Sequence, residues 1–465
     1  MKNYSVSESN GANATEFYTL LGYETENTWT AENVPALKEE VYTSSLSNHE
    51  SKIEFQLSQY RFPNVAVKDI MGNWKTASDE MLKDESFGGE INRPNNWLKD
   101  ELKSVTEGTG NSKETAYKIY NYIRDNFTAT PSSYTQMTNG QTVKDIFRKK
   151  NGTPSEINLL LIAMLRNAGI AADPVLISTR SHGWANSFYP LLNKYNLVLA
   201  KATIDGSSVF LDATEPRVGF GRLSPVCYNG TGFVVKSTPE HILLSSDSVT
   251  EAKTTLIFLS NDTASKGLKG NYSSAPGYYE STRLREKLSK SSLDDLLKET
   301  EKGYSFPVTF ENKTVDSLNQ YDYPVTVKYN MKLNFNDEDI VYFNPMFSEG
   351  VKNNPFKSAD RKYPVEMLFK IKDLFVLNME VPKGYVVDEV PKSERVALND
   401  QEGSFDYIIQ VSNNRIMLQS KINLNKANFK VEDYQTLRDF FGHIAKKHSE
   451  LIVFKKVKKE VAVNP

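Results

Sequence analysis

The chain has 465 residues, which is too long for one hydrophobic core and predicts about three domains. Hydrophobic residues make up 39% and charged residues 25% of it, which is typical of an ordinary globular protein. The 56 basic and 58 acidic residues leave a net charge of −2, so no overall field favours nucleic acid or an anionic membrane. The single cysteine, Cys227, excludes an intramolecular disulfide, and no stretch is apolar for the length that a membrane-spanning helix needs.

Residues 1–64 are predicted to form β structure. In "SKIEFQLSQYRF" (51–62), Ile53, Phe55 and Leu57 alternate with polar neighbours, a pattern typical of a half-buried strand. One or two strands do not make a stable sheet, so we interpret this segment as the remnant of an N-terminal β-domain. The first residues lack the basic and apolar regions of a signal peptide.

From residue 65 to 248 the pattern changes to helices followed by strands. The stretch "NSKETAYKIYNYIRDNF" predicts an amphipathic helix with Ser112 as its N-cap. A short helix is predicted over 142–150. Three strands follow further on, and the "IDGSS" segment between the last two predicts a hairpin turn around Asp205 and Gly206.

Between these helices and strands lies "NGTPSEINLLLIAMLRNAGI" (151–170). Its apolar run is interrupted only by Asn158 and Arg166, which predicts a helix buried on most sides and ended by Gly169. Pro154 suits the first helical position. A buried central helix on an antiparallel sheet gives an α+β fold.

From residue 249 to 465 strands of six to ten residues dominate, separated by Gly, Pro and Asn turns. This pattern predicts a β-sandwich. Two helices interrupt the strands, a charged one over 292–302 and a late amphipathic one, "DYQTLRDFFGHIAKKH".

The elements at 152–214 resemble the transglutaminase-like, papain-related superfamily, and in particular the multidomain transglutaminase-like envelope proteins of Gram-negative bacteria with β-domains on both sides. The family motif runs Gly-Asp-Cys-x-Asp, then Leu-Leu-x-x-Leu-Leu-Arg-x-x-Gly-Ile, then a strand with His, then Leu-Asp-Ala-Thr. This chain offers Gly152, "LLIAMLRNAGI" (160–170) and "YNLVLAKATIDGSSVFLDAT" (195–214).

The resemblance implies a Cys thiolate at the start of the central helix, a His on a strand beside it and an Asp that orients the His. Counting along the motif puts Pro154 at the Cys position and Leu197 at the His position, while Asp212 is retained. Pro154 cannot act as a nucleophile and Leu197 cannot move a proton. Without the His, Asp212 either caps backbone N–H groups at its own turn or makes a polar contact in a ligand groove.

Other groups offer poor replacements for the missing pair. Ser155 lacks an adjacent base, His182 lies in a loop before the strand, and Cys227 follows the Asp strand. His443 and His448 are five residues apart rather than four, which does not support a helical zinc site. The sequence therefore predicts no metal and no cofactor.

Three functions remain open at this point. The first is a non-catalytic binding or assembly module of the periplasm or cell surface, with a peptide, a glycan or an envelope protein as partner. The second is a hydrolase or acyltransferase that uses non-standard groups, either Glu156 with Asp212 or His182. The third is a purely structural spacer between two β-domains. For the first hypothesis the candidate binding residues are Glu156, Arg180, Trp184, Tyr189 and Arg217.

Overall fold

The structure is a computed structural model that describes residues 2–10, 14–22, 26–61, 66–138, 140–263, 267–302, 304, 306–335 and 338–457. The chain divides into two units, residues 1–38 and 39–465. The first unit contains an antiparallel hairpin, β1 (Lys2–Asn10) with β2 (Ala14–Gly22). The β structure predicted for the N-terminal segment is present in this hairpin.

The strand predicted over 51–62 is wrong. Residues 51–58 are irregular, and only β3 (Gln59–Tyr60) pairs with β4 (Lys68–Asp69). Ile53, Phe55 and Leu57 are 55%, 79% and 58% exposed. Alternation makes a strand only where a neighbouring strand supplies backbone pairing and burial, and no strand of the described residues pairs with residues 51–58. Phe62 and the boundary predicted at 64/65 lie outside the described residues.

Six helices come next along the chain, with a two-stranded parallel ladder among them. The predicted N-cap Ser112 is wrong by one residue, because the Asn111 side chain accepts the Glu114 N–H at 2.9 Å and Ser112 is the first helical residue. The elements are α1 (Trp74–Lys83), α2 (Gly88–Asn92), α3 (Leu98–Val105), α4 (Ser112–Asn126), β5 (Thr128–Ala129), α5 (Val143–Lys149), β6 (Asn151–Gly152) and α6 (Pro154–Asn167).

A five-stranded antiparallel sheet follows, in the order β11-β10-β7-β8-β9. Asp205 and Gly206 have φ of 49° and 77°, so the predicted Asp-Gly hairpin turn is confirmed. The helix α6 packs on one face of this sheet, which confirms the α+β class. The strands are β7 (Ala172–Ile177), β8 (Leu197–Ile204), β9 (Ser207–Leu211), β10 (Gly230–Val234) and β11 (Glu240–Leu244).

The remaining strands and helices form the C-terminal part. They are β12 (Thr250–Asn261), β13 (Leu268–Ala275), α7 (Tyr278–Leu288), α8 (Leu293–Glu301), β14 (Val308–Asp316), β15 (Thr326–Leu333), β16 (Ile340–Phe343), β17 (Val365–Glu366), β18 (Lys370–Glu380), β19 (Tyr385–Glu389), β20 (Glu394–Leu398), β21 (Gly403–Ser412), β22 (Arg415–Leu424), β23 (Asn428–Phe429), α9 (Tyr434–His448) and β24 (Ile452–Lys456). Both predicted helices are present as α8 and α9, whereas α7 was not predicted.

Eight of these strands form one sheet in the order β14-β15-β13-β12-β18-β22-β21-β20. Its central pair, β12 and β18, is parallel and distant in sequence. The predicted sandwich has unequal layers, because the large sheet shares its core with a three-stranded sheet, β16-β24-β19, and with α9. The boundary predicted at 248/249 falls between β11 and β12, and the division into three domains stays a prediction.

Candidate functional site

The start of α6 is the place where the resemblance implies a reactive group. Thr153 is the N-cap, and its side chain accepts the Glu156 N–H at 3.3 Å while the Glu156 carboxylate accepts the Thr153 N–H at 2.7 Å. This reciprocal pair is a capping box, and Pro154 occupies the first helical position as predicted. At the other end, Gly169 has φ of 80° and follows the last turn, as predicted for a helix stop.

The hydrogen bonds of the Glu156 side chain are made within the chain, at and near this cap. Its side chain is buried, with 1% exposure, and its second oxygen accepts the Thr138 N–H at 2.8 Å. Burial alone would raise the pKa of this carboxyl, but the hydrogen bonds from Thr138 and Thr153 outweigh it and lower the pKa. The carboxylate is therefore ionised and satisfied within the chain, which argues against the binding and catalytic roles considered for Glu156.

Ser155 faces a backbone group rather than a base. Its Oγ accepts the N–H of Val198 at 3.2 Å, and the residue is 1% exposed. Val198 and Ala200 pack on the α6 side of the sheet, whereas Leu197 packs on the other side in a separate apolar cluster. The Leu197 side chain therefore does not face the helix start.

Asp212 lies at the end of β9 and is 2% exposed. Its Oδ1 accepts the N–H of Thr214 at 3.1 Å and the Thr214 hydroxyl at 2.7 Å, which is the capping role considered from the sequence. The same oxygen accepts a hydrogen bond from the Asn158 amide at 2.9 Å. Asn158 also donates to the Val198 carbonyl at 2.8 Å and accepts the Ala213 N–H at 3.1 Å.

We call Thr153, Ser155, Asn158 and Asp212 the helix-start site. Its hydrogen bonds join α6 to β8 and β9 through neutral donors and backbone groups. Asn158 is fully buried, and both the nitrogen and the oxygen of its side-chain amide take part in these hydrogen bonds. The arrangement stabilises the packing of helix on sheet. The Asp212 carboxylate accepts hydrogen bonds from Asn158 and Thr214, whereas the Ser155 hydroxyl is paired with the Val198 N–H.

The lone thiol lies on the far side of the sheet from α6. Cys227 is 1% exposed and packs with Leu197, Leu199 and Leu223. Burial raises the pKa of the Cys227 thiol, and the carboxylates of Asp212 and Glu215 add to this effect. A thiol of this kind is inert, in agreement with the apolar role expected for it.

Arg180 lies in the connection between β7 and β8 and is buried at the contact with the C-terminal part. Its guanidinium donates to the carbonyl of Glu366, and its exposure is 8%. Burial lowers the pKa of Arg180, while the charge of Glu366 opposes that effect. This contact argues against Arg180 as a free binding residue. The neighbouring His182 is exposed on the turn 180–182.

The same connection exposes three aromatic side chains. Trp184, Phe188 and Tyr189 are 48%, 86% and 51% exposed. Their backbone is held in place, because Asn48 Oδ1 accepts the Trp184 N–H at 2.8 Å and Asn186 Oδ1 accepts the N–H groups of Phe188 and Tyr189. We call these three side chains the aromatic loop. Two of them, Trp184 and Tyr189, are candidates from the sequence.

Arg217, the remaining candidate, is half-buried and has a positive φ of 65°. It belongs to the segment after Asp212, which the C-terminal part holds in place. Asp322 Oδ1 accepts the Phe220 N–H at 2.8 Å, and the Tyr278 hydroxyl accepts the Gly219 N–H at 2.6 Å. The turn after the retained aspartate is thus part of a junction with the large sheet.

Comparison with known families agrees with this geometry. Residues 100–200 match the model of the transglutaminase-like superfamily. This part of the chain is a transglutaminase-like domain. Residues 339–454 match a second model, DUF3858, a domain of unknown function with a solved structure. No curated protein matches the chain.

One solved structure has a similar fold over almost the whole chain. It comes from a Parabacteroides distasonis protein described as a candidate protease, with a TM-score of 0.51 and 17% identity. The match covers 98% of this chain and 68% of the other. At this identity the likeness shows the fold alone. The superfamily resemblance seen in the sequence is confirmed by the family-model match over residues 100–200.

The described residues contain no helix with the length and apolarity needed to cross a bilayer. In the same residues, no three His, Cys, Asp or Glu side chains come together in a way that could hold a metal ion.

The sequence did not identify Asn158 as the centre of the polar network. The available signal was its position, since it is a polar residue inside a run that is otherwise apolar up to Leu165. A buried amide of this kind needs partners from other elements, and they come from strands about 40 and 55 residues away.

Proposed function

We propose that this protein is a non-catalytic transglutaminase-like module of the cell envelope that binds a partner. The observation that carries the proposal is the helix-start site. Pro154 stands where the family motif has its thiol, and the adjacent hydroxyl of Ser155 accepts a backbone hydrogen bond. A serine hydroxyl without a base beside it remains protonated and a weak nucleophile.

The aromatic loop supports binding as the retained role. Exposed Trp and Tyr side chains supply large contact area at low conformational cost, and they suit the apolar faces of peptides and glycans. Their backbone is fixed by Asn48 and Asn186, so the rings are presented without ordering a mobile loop first. A periplasmic or cell-surface location follows from the resemblance to envelope proteins.

A direct test combines a reaction assay with a binding assay on the purified chain. We expect no hydrolysis of fluorogenic peptide amides and no acyl transfer to a labelled amine. We expect co-sedimentation with insoluble peptidoglycan or retention on an immobilised peptide array, lost in the double variant W184A/Y189A. The variant F258A, which removes an exposed Phe from the large sheet, is the matched control.

Turnover that survives purification and disappears in D212N or E156Q would contradict the non-catalytic proposal and support the hydrolase or acyltransferase alternative. Equal binding by W184A/Y189A and the native chain would contradict the role of the aromatic loop. Fractionation of the native host with an antibody tests the location, and recovery in the cytoplasm would contradict it.

A further inference from the structure

A small cavity lies at one end of the eight-stranded sheet, under the loop 344–351 and the end of α9. Its volume is about 40 Å3. Space of this size accommodates about one or two water-sized groups. The residues that matter here are Lys253, Thr255, Glu349, Asp373, Ser420 and His448, and we call the cavity they line the charged chamber.

Two of these residues are held side by side by strand pairing. Lys253 of β12 and Asp373 of β18 are register partners in the parallel central pair. Both point to the face of the sheet that carries the hydrophobic core, since residues two and four positions further along each strand, such as Ile257 and Leu377, are buried in it. Charged side chains therefore occupy the end of a core-facing surface.

The charge of Lys253 is already balanced within the chamber. Its Nζ lies 2.6 Å from Glu349 Oε2, and the other oxygen of Glu349 accepts a hydrogen bond from the Tyr272 hydroxyl at 2.7 Å. Thr255 adds a long hydrogen bond to the same carboxylate at 3.4 Å. Lys253 and Glu349 together contribute no net charge.

Asp373 is the second carboxylate of the chamber. Burial raises its pKa to about 6, while the Lys253 ammonium lowers it and Glu349 raises it further. Asp373 is half-buried, and the Lys253 ammonium acts on it at longer range than on Glu349. Among the described residues no side-chain donor or cation is placed within bonding distance of the Asp373 carboxylate, so at neutral pH the two carboxylates and one ammonium give the chamber a net charge of −1.

His448 adds no positive charge to the chamber. A backbone N–H can only donate, and the N–H of Val351 points at His448 Nδ1 at 2.9 Å, so Nδ1 is unprotonated. The proton is then on Nε2, which donates to Ser420 Oγ at 2.9 Å. Burial lowers the pKa of His448 to about 4, so the ring is neutral at physiological pH.

An outer pocket of about 330 Å3 adjoins the chamber, with Val351 and His448 common to both. Three aromatic rings line it, from Tyr304, Phe306 and Phe347. Aromatic faces attract cations and accept aliphatic chains. Lys352 is exposed at the outer pocket, where solvent and salt screen its charge.

We propose that the charged chamber and the outer pocket bind a primary alkylammonium ion. The ammonium group fills the water-sized chamber beside Asp373, and the alkyl stem lies along the three aromatic rings. An anion would meet the unpaired carboxylate, and a neutral alcohol would leave that carboxylate without a counterion. The small volume of the chamber, its negative charge and the aromatic lining of the outer pocket together favour a primary alkylammonium ion over an anion or a neutral alcohol.

The test is calorimetric titration of the whole chain with pentylamine at pH 7.5 and low salt. Pentan-1-ol and pentanoate have the same number of carbon atoms and serve as the neutral and anionic controls. We expect pentylamine to bind at least tenfold more tightly than either, and D373N to lower its affinity at least tenfold. The variant E389Q, an exposed carboxylate of the same part of the chain, should bind like the native protein.

Acidification provides a second measurement if D373N does not fold. The groups that face Asp373 are Lys253, Glu349 and, within the chamber, His448; Glu280 acts on Lys253 from α7. With a pKa of about 6 for Asp373, affinity for pentylamine should fall about tenfold between pH 7.5 and pH 5.

A primary alkylammonium group can come from a free amine or from the lysine side chain of a peptide. Tighter binding of pentylamine than of Nα-acetyl-lysine amide indicates the free amine, and the reverse order indicates the lysine side chain. The proposal is overturned if neither probe binds, if pentan-1-ol binds equally well, or if affinity is unchanged both in D373N and at pH 5.

Discussion

The helix-start site and the charged chamber are both buried polar regions, and they differ in how their polar groups are satisfied. At the helix-start site, Asn158 and Ser155 bond to backbone groups and to the retained Asp212. In the charged chamber, the one ammonium faces two carboxylates, and one of these has no side-chain partner. In the region that resembles an active site, the retained Asp212 carboxylate thus accepts three hydrogen bonds from side-chain and backbone donors. In the region without any such resemblance, the Asp373 carboxylate has no side-chain donor within bonding distance among the described residues.

This difference has a physical meaning. A network in which the Asn158 amide and the Asp212 carboxylate have hydrogen-bond partners contributes to stability and does not need a ligand to satisfy these groups. A half-buried carboxylate without an ion-pair partner at bonding distance lowers stability, and a bound cation would remove that cost. We therefore expect the two regions to respond in opposite ways to substitution, pH and chemical modification.

The largest expected effect concerns the Cys227 thiol, on the face of the five-stranded sheet opposite α6. Cys227 is buried with a raised pKa, so its reaction with iodoacetamide requires opening of the fold. We expect alkylation at least ~10³-fold slower than for a cysteine at exposed Ser133, because opening costs several kcal/mol. Mass spectrometry of the native chain and S133C, with and without urea, gives both rates. Similar rates in the folded state would contradict the sealed sheet face.

The next effect concerns Asn158. The substitution N158L leaves the Val198 carbonyl and the Ala213 N–H without partners and should destabilise the fold by about 3 kcal/mol. Urea unfolding followed by circular dichroism measures it. N167L, at the exposed end of the same helix, is the control and should change stability by less than about 0.5 kcal/mol. A neutral N158L would show that the network is not needed for packing.

A smaller effect is expected at the charged chamber. K253M leaves Glu349 without its ion-pair partner and removes the ammonium that acts on Asp373 at longer range, and it should destabilise the fold by about 2 kcal/mol. This value is reduced because the lysine side chain is 34% exposed. The matched variant K328M breaks an exposed ion pair with Asp316 and should cost about 0.5 kcal/mol or less. In the double variant K253M/E349Q neither residue is charged, so we expect it to recover stability relative to K253M. If it does not, the destabilisation by K253M does not come from breaking the ion pair.

The smallest effect is a pH dependence. The pKa of Asp373 is about 6 in the folded chain, above the ordinary value near 3.9, so its stabilising contribution is complete below pH ~4 and lost as pH rises through about 6. Because asparagine does not ionise, D373N should match the native chain at pH 4 and exceed it by about 1 kcal/mol at pH 7.5, after allowance for solvent screening. D400N is the exposed control. Parallel unfolding curves at both pH values would refute the shifted pKa.

Local rules predicted much of the middle part of the chain. Pro154 occupies the first position of α6, Gly169 follows its end, and Asp205-Gly206 turns β8 into β9, each for a reason contained in a few neighbouring residues. The N-cap Thr153 was not predicted. The strand predicted around Phe55 failed because a strand requires a partner, which the alternation of one segment does not reveal. The helix α7 was missed because its pattern is dominated by polar residues.

The candidate site was predicted only in part. The absence of Cys and His at positions 154 and 197 is a fact of sequence, and so is the retention of Asp212. The side to which Leu197 points was not available from the motif, because it depends on which face of β8 the helix covers. Glu156 and Arg180 had charges suited to a ligand, and the fold uses both inside the chain.

By itself the sequence indicated the frame of the transglutaminase-like domain, because its turns and apolar helix are local features. Only the tertiary structure decided where unused charge would lie. Lys253 and Asp373 are 120 positions apart and meet through a parallel strand pair, and a contact of that range depends on how the whole sheet is ordered. The local sequence contained one sign of this contact: each strand has a charged residue at a position that, by the two-residue alternation of a strand, faces the core.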